Sequence, residues 1–171
     1  MTDRQYYFCE FQMGGASYFV IWYSGEEDGL LTNDERRLLS FGSSDQALAY
    51  ASERALAIEP QEPAFYDLDR IESWFTGASA DKIDCAELLD AWNMFLDVAA
   101  SAGGASLFEA ADARANDVYD KLFFGNNLPS ITPPGEHYVP GWSAEEVGVL
   151  ARIMRLGHRM VQAALSGHSG G

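Results

Sequence analysis

Residues 119–142 have the sequence YDKLFFGNNLPSITPPGEHYVPGW, and this stretch determines how the helices on either side of it connect. Its first part continues an apolar helical pattern from Val118, and the Gly-Asn-Asn triplet at 125–127 is a helix stop signal. Its second part holds four of the six prolines, each of which fixes φ and removes a backbone donor. We therefore predict an extended crossing loop. Its apolar side chains are expected to pin it to the core: Leu128, Ile131, Tyr138, Val139 and Trp142.

The N-terminal part of the chain has the pattern of a β-hairpin. Residues 5–13 and 17–23 are rich in aromatic and β-branched side chains, and Gly14-Gly15-Ala16 separates them. Both faces of both strands are largely apolar, which predicts that the sheet is covered on each side. A third strand is expected at residues 36–41, and a short one at 64–66.

Capping signals predict where the helices begin. Ser43, Asp67, Asp84 and Ser143 each stand at the start of an apolar helical pattern, three of them with Gln or Glu three residues later. The predicted helices cover residues 45–57, 67–77, 84–100, 107–124 and 143–165. Their inward faces are expected to include Leu48 and Leu96. The predicted fold is α+β: a small N-terminal antiparallel sheet packed with about five helices, mostly C-terminal. Residues 1–165 are predicted to form one domain, and residues 166–171 a disordered tail.

Composition is that of an ordinary folded protein, with 171 residues, 47% of them hydrophobic and 22% charged. No run has the length of a transmembrane helix, and the first residues lack the apolar segment of a secretory signal. Cys9 and Cys85 lie in apolar patterns, which favours buried free thiols over a disulfide. These features predict a cytoplasmic protein.

The net charge of -15 disfavours nucleic-acid binding and favours encounter with a basic partner. Between residues 59 and 120 there are fourteen acidic residues against three basic ones, a net of eleven negative charges. Such a cluster costs folding free energy through self-repulsion, so it is a candidate docking face, although a solvated acidic surface accounts for it equally well. The candidate partner-binding residues are Glu62, Asp67, Asp69, Glu72, Asp81, Glu87 and Asp90.

Other local patterns are weaker. Residues 24–35 partly match a calcium-binding loop, but Ser24 stands where Asp is expected and a strand precedes it, which favours an acidic loop between strands. His137 is the histidine in the most anchored context and could act as a base, yet no nucleophile, metal, phosphate or dinucleotide motif accompanies it. Arg152, Arg155 and Arg159 form a basic stripe on the last helix that could bind an acid, although basic residues late in a helix also complement its dipole. In a protein this acidic, pairing with its own carboxylates or exposure to solvent is the default interpretation. We expect no cofactor and no metal, and an enzyme is disfavoured.

The stretch at 119–135, followed by HYVP at 137–140 and WSAEE at 142–146, resembles immunity proteins of bacterial contact-dependent growth inhibition systems. FYDLD at 65–69 before Trp74, and AWNMFLDV at 91–98, agree with that resemblance. The resemblance implies a cytoplasmic protein that binds the toxic C-terminal domain of a delivered effector. Many such toxins are nucleases with basic, phosphate-binding clefts, which an acidic protein can occupy. Since these immunity proteins diverge at their binding surfaces, we expect the interface at residues 62–90 and not in the proline-rich loop.

Two alternatives belong to other functional classes. The first is a small enzyme or ligand-binding domain with its site around His137 and Trp142, which a deep polar pocket there would favour. The second is an acidic regulatory protein or nucleic-acid mimic, which differs from an immunity protein mainly in its partner.

Overall fold

The computed structural model describes residues 3–104 and 113–165, and it has the predicted α+β architecture. Within the described residues, five strands lie in the N-terminal part: β1 (Gln5–Met13), β2 (Ala16–Ser24), β3 (Gly29–Leu30), β4 (Ser40–Phe41) and β5 (Ala64–Asp67). The same described residues form five α-helices, most of them C-terminal, which pack with the sheet: α1 (Ser44–Glu53), α2 (Leu68–Thr76), α3 (Cys85–Ala102), α4 (Ala115–Gly125) and α5 (Ala144–Leu165). A single 3-10 turn, Ala80–Lys82, precedes α3. The predicted tail, 166–171, lies outside the described residues.

The predicted hairpin is confirmed. β1 and β2 pair antiparallel over their whole length, from Gln5 opposite Ser24 to Met13 opposite Ala16. Gly14 and Gly15 form the two-residue turn with φ of 60° and 75°, a conformation that suits glycine because it has no Cβ. The carboxylate of Asp69 accepts hydrogen bonds from both turn amides, at 2.6 Å from Gly14 and 2.9 Å from Gly15. The start of α2 is thereby tied to the hairpin.

The sheet is mixed and not purely antiparallel, which corrects the prediction. Its order is β3-β2-β1-β5, with β4 also paired to β2, and β5 runs parallel to β1. A parallel partner needs a crossover, and α1 with the segment after it supplies one. The predicted third strand at 36–41 was too long, because Arg36 adopts φ of 59° and Leu38 forms only an isolated bridge with Thr32, so that the strand itself is Ser40–Phe41. β3 was missed, since it lies inside the acidic stretch that was predicted to be a loop.

Both faces of the sheet are covered, as the apolar patterning predicted. α1 contacts β2 and β4 on one face and buries Ala47 and Ala51 there. On the other face Cys9, Phe11 and Val20 belong to the main core with residues of α2, α3, α4 and α5. This second face therefore positions α3 against the central strands.

The capping predictions are confirmed, while two helix boundaries differ. Side chains of Ser43, Asp67 and Asp84 accept hydrogen bonds from backbone amides of the first helical turn, and Ser143 and Glu146 form the predicted reciprocal pair. α1 ends at Glu53, four residues early. Leu48 and Leu96, which were predicted to face inward, are 51% and 41% exposed. Within the described residues α4 begins at Ala115. The predicted start of that helix, 107, falls in 105–112, outside the described residues.

α3 and α5 cross closely at the centre of the core. Phe95 of α3 is fully buried, and its ring lies directly against Gly157 of α5, where a Cβ would overlap the ring. His158, next to Gly157, is 6% exposed and packs edge-on against Phe75 at 5.6 Å between ring centroids. The prediction that His137 is the best-anchored histidine was wrong, because His137 is exposed and His158 is buried.

The crossing loop between α4 and α5 is fastened by polar contacts and not by its apolar side chains, contrary to prediction. The amide of Asn127 donates to the carbonyl of Tyr138, and its oxygen accepts from the Tyr138 backbone at 2.6 Å. Lys121 donates to the carbonyl of Gly141 at 2.8 Å. Four of the five predicted anchors are exposed, Val139 most of all at 74%, and only Trp142 is half-buried. The loop shape is thus set without burying those side chains.

Among the described residues, every helix is too short or too polar to span a bilayer. Cys9 and Cys85 are free thiols, as predicted. Burial raises the pKa of the Cys9 thiol to about 12, with the Asp97 carboxylate adding to the effect. Cys9 is therefore protonated and unreactive at neutral pH.

Candidate functional site

One face of α3 carries a row of polar side chains alongside the sheet. Glu87, Asp90, Asn93 and Asp97 recur every three or four residues, so they share one side of the helix. The opposite side of α3 is apolar and buried, which fixes the orientation of this row. The row faces β5, the strand at one edge of the sheet, and the strand beside it, β1.

The first half of this row lines a cavity of about 200 Å³ between α3 and the junction of β5 with α2. We call it the acidic cleft. Its acidic residues are Asp67, Glu87 and Asp90, and its apolar walls include Phe65, Tyr66 and Ile71. Phe65 is 57% exposed although it is aromatic, because its strand lies at the edge of the sheet. The acidic cleft therefore offers a partner both an apolar ring and three carboxylates.

Two carboxylates of the acidic cleft, those of Glu87 and Asp90, are partly desolvated. Burial raises the pKa of Glu87, and Asp84 and Asp67 add to the rise, while Arg70, at 3.2 Å from the Glu87 carboxylate, lowers it. Burial and the charge of Asp84 likewise raise the pKa of Asp90. The ionised forms of both groups therefore carry an unfavourable free energy that an incoming cation would relieve.

The second half of the row lines a larger cavity of about 360 Å³, which we call the aromatic pocket. Tyr7, Trp22 and Tyr66 supply its aromatic walls, and Asp97 its carboxylate. The indole nitrogen of Trp22 donates to Asp97 at 3.0 Å. Tyr66 lines both cavities, so the acidic cleft and the aromatic pocket are neighbours along α3.

The remaining predicted partner-binding residues lie elsewhere. Asp69 binds the hairpin turn, and hydrogen bonds from Gly15 and Gly14 lower its pKa. Glu72 is exposed on α2, 3.7 Å from the Nε2 atom of His158. Asp81 lies before α3 on a different groove, and Glu62 is exposed in the turn before β5. The structure therefore brings together Asp67, Glu87 and Asp90 of the seven predicted residues.

His137 and Trp142, the alternative site, lie along the crossing loop. His137 lines an apolar groove of about 630 Å³ with Phe124, Ile131 and Tyr138, and it also borders the groove that contains Asp81. Trp142 is half-buried, with the Lys121 ammonium 5.6 Å from its ring centroid. Both grooves are open to solvent, and His137 is exposed on their shared wall. This geometry differs from the deep polar pocket that would favour the enzyme alternative.

The two weaker patterns also have structural explanations. In residues 24–35, the Asp28 carboxylate accepts from the Gly25 amide, and Asn33 accepts from the amides of Glu35 and Arg37. Among residues 3–104 and 113–165, no three His, Cys, Asp or Glu side chains are grouped to hold a metal ion. On α5, Arg155 packs over the ring of Phe75 and donates to its carbonyl.

Sequence reasoning missed the aromatic half of the site. Trp22 and Tyr7 were assigned to strand faces, and Asp97 was counted only as one of many acidic residues. A usable signal was present, because Glu87, Asp90 and Asp97 share one helical face opposite the apolar stripe of α3. Pairing that face with β5 required the parallel strand order, which the sequence does not reveal.

Comparison with known proteins gave no match. No protein-family model matches the chain, and neither a characterised protein nor a solved structure shows significant similarity to it.

Proposed function

We propose that this protein is an immunity protein that binds and neutralises the toxin domain of a contact-dependent growth inhibition effector. The observation that carries the proposal is the acidic cleft, where three of the seven predicted carboxylates converge beside the exposed ring of Phe65. The resemblance of residues 119–146, 65–69 and 91–98 to such immunity proteins supports the same function.

The charges of the acidic cleft favour a basic partner. One guanidinium, Arg70, stands against three carboxylates, two of them partly desolvated. A Lys or Arg of the partner would offset the cost of ionising Glu87 and Asp90, while Phe65 would lose its contact with water. A toxin nuclease has basic groups at its phosphate-binding cleft or at an exosite nearby. Occupying either would exclude the nucleic acid by charge and by steric overlap.

The proposed partner enters the cytoplasm of the target cell, so the immunity protein would act in the cytoplasm. Binding requires no cofactor, metal or nucleic acid in this mechanism. The acidic cleft has charged side chains at its rim and an aromatic side chain, Phe65, among them. This is the usual composition of a protein–protein interface.

The test is co-expression with the toxin domain encoded immediately upstream, followed by growth measurement and co-purification. We expect rescue of growth and a stable complex.

The double variant Glu87→Gln/Asp90→Asn should weaken binding about tenfold or more, because it removes both charges and keeps the side-chain shapes. The matched control, Asp45→Asn/Glu53→Gln on α1, lies on the opposite face of the sheet, changes the net charge equally and should bind as the unmodified protein does. Growth arrest without a complex would refute the proposal.

A further inference from the structure

The aromatic pocket has the construction of a cation-binding site. Its floor is formed by the buried side chains of Cys9 and Met94, and its aromatic walls are half-buried. Tyr7 and Trp22 lie 5.4 Å apart between ring centroids, with their planes tilted by 45°. The residues at its opening are small or polar, among them Ala64 and Asn93, and both are exposed. A side chain from outside can therefore reach the rings.

Asp97 gives this pocket its charge. Its carboxylate is half-buried against the aromatic walls, and Trp22 holds one of its oxygens in place. Burial raises the pKa of Asp97, and the charge of Asp28 raises it further, while the Trp22 hydrogen bond lowers it. Among the described residues that line the pocket there is no Lys or Arg. The charge of Asp97 is therefore balanced inside the pocket by one neutral hydrogen-bond donor.

A carboxylate at the edge of one aromatic ring, in a pocket with further aromatic walls, is complementary to a planar organic cation. A guanidinium donates paired hydrogen bonds to a carboxylate in its own plane, and its face stacks on aromatic rings. A compact ammonium is hydrated more strongly and stacks less well, so the pocket favours Arg over Lys.

We propose that the aromatic pocket binds the guanidinium of an arginine side chain that the toxin partner inserts, with Asp97 as its counter-ion and Tyr7, Trp22 and Tyr66 as its walls. This inference rests on the proposed function, because the arginine belongs to the partner that the acidic cleft receives. The shared wall of Tyr66 places the two cavities along one line on α3, so one basic segment could occupy both.

The first experiment needs no toxin. N-acetyl-arginine amide is titrated into the labelled protein while the indole N–H resonance of Trp22, assigned with a Trp22→Phe variant, is followed by NMR. We expect a saturating shift, which N-acetyl-citrulline amide, a neutral analogue of the same shape, does not produce. In Asp97→Asn, which keeps an acceptor for Trp22, the affinity for the arginine amide should fall at least about fivefold. Absence of a saturating shift would overturn the pocket's preference for a guanidinium.

The second experiment measures binding of the upstream-encoded toxin domain to Asp97→Asn and to Asp34→Asn, an exposed control between β3 and β4. We expect Asp97→Asn to weaken binding about tenfold or more and Asp34→Asn to change it less than about twofold. Toxin binding that is insensitive to Asp97→Asn would overturn this inference and leave the proposed function standing. A response to the arginine amide without any toxin binding would instead refute the proposed function and the partner as the source of the arginine.

Discussion

At the scale of single residues, Asp69 shows that a carboxylate in an acidic cluster can have a structural role. It binds the amides of Gly14 and Gly15, which are more than fifty positions away in sequence. Nothing in the local sequence of α2 indicates this contact. Charge reversal at Asp69 would therefore disturb the hairpin as well as any interface, so Asp69 is a poor probe of binding.

Replacing Asp69 by Asn should destabilise the protein by about 1 kcal/mol at neutral pH, allowing for screening of these exposed hydrogen bonds by solvent. Because the folded state lowers the pKa of Asp69, its contribution is fully present above the unfolded pKa, about 3.9, and is lost as pH falls through the lower folded value. The difference between the two proteins should thus shrink below about pH 4. Urea unfolding of both proteins at pH 7 and pH 3 measures this difference in the free energy of unfolding. An equal difference at both pH values would show that charge is not involved.

At the scale of elements, the contact of α3 with α5 holds the functional face of α3 in position. Gly157→Ala should lower the free energy of unfolding by about 3 kcal/mol, because the new methyl group overlaps the buried ring of Phe95. Gly148→Ala on the same helix is the matched control. Nothing lies within 4 Å of a Cβ at Gly148, so this variant should gain about 0.5–1 kcal/mol from helix propensity. Chemical denaturation of both variants measures these two changes in the free energy of unfolding. A Gly157→Ala variant as stable as the unmodified protein would contradict the close crossing of α3 and α5.

The elements also show what could be predicted from sequence. Caps were predicted correctly because Ser43, Asp67, Asp84 and Ser143 accept from amides only three residues away. The parallel pairing of β5, the short strand β3 and the exposed side of the crossing loop depend on contacts distant in sequence. Three acidic-cleft residues were predicted from charge alone, whereas the aromatic pocket needs the pairing of β5 beside β1.

The acidic row of α3 should couple partner binding to protons. In the free protein the raised pKa values of Glu87 and Asp90 mean that a fraction of both groups stays protonated at mildly acidic pH. A bound cation favours their ionised forms and lowers those pKa values, so complex formation releases protons. Affinity for the toxin domain should therefore fall as pH decreases from 7 toward about 5.

Calorimetry at about pH 5 in buffers of different ionisation enthalpy should detect the protons released on complex formation. The Glu87→Gln/Asp90→Asn variant should lose most of this proton release. If the variant releases as many protons as the unmodified protein, other groups are their source.

At the scale of the whole molecule, a net charge of -15 creates a field that extends beyond any one contact. Such a field accelerates encounter with a basic partner, and salt screens it, with a Debye length of about 10 Å at 0.1 M and about 3 Å at 1 M. The question is whether the total charge or its placement steers the partner. Exposed carboxylates beside and away from the proposed interface allow the two to be separated.

Reversing Glu62 and Glu72 to Lys changes the charge just before β5 and next to Ile71 of the cleft wall, without changing the residues that line the cleft. Reversing Asp45 and Glu53 to Lys makes the same change in charge on α1, on the opposite face of the sheet. If placement steers, the first double variant should bind the toxin domain about tenfold more slowly at low salt, with little change in dissociation rate. The second should associate within about twofold of the unmodified protein. Stopped-flow measurements across a salt series provide the test, and the two variants should converge at about 1 M salt because screening then removes the long-range field. Equal slowing of both double variants would mean that total charge governs encounter. The acidic cleft would then act only after contact, through the partly desolvated carboxylates of Glu87 and Asp90.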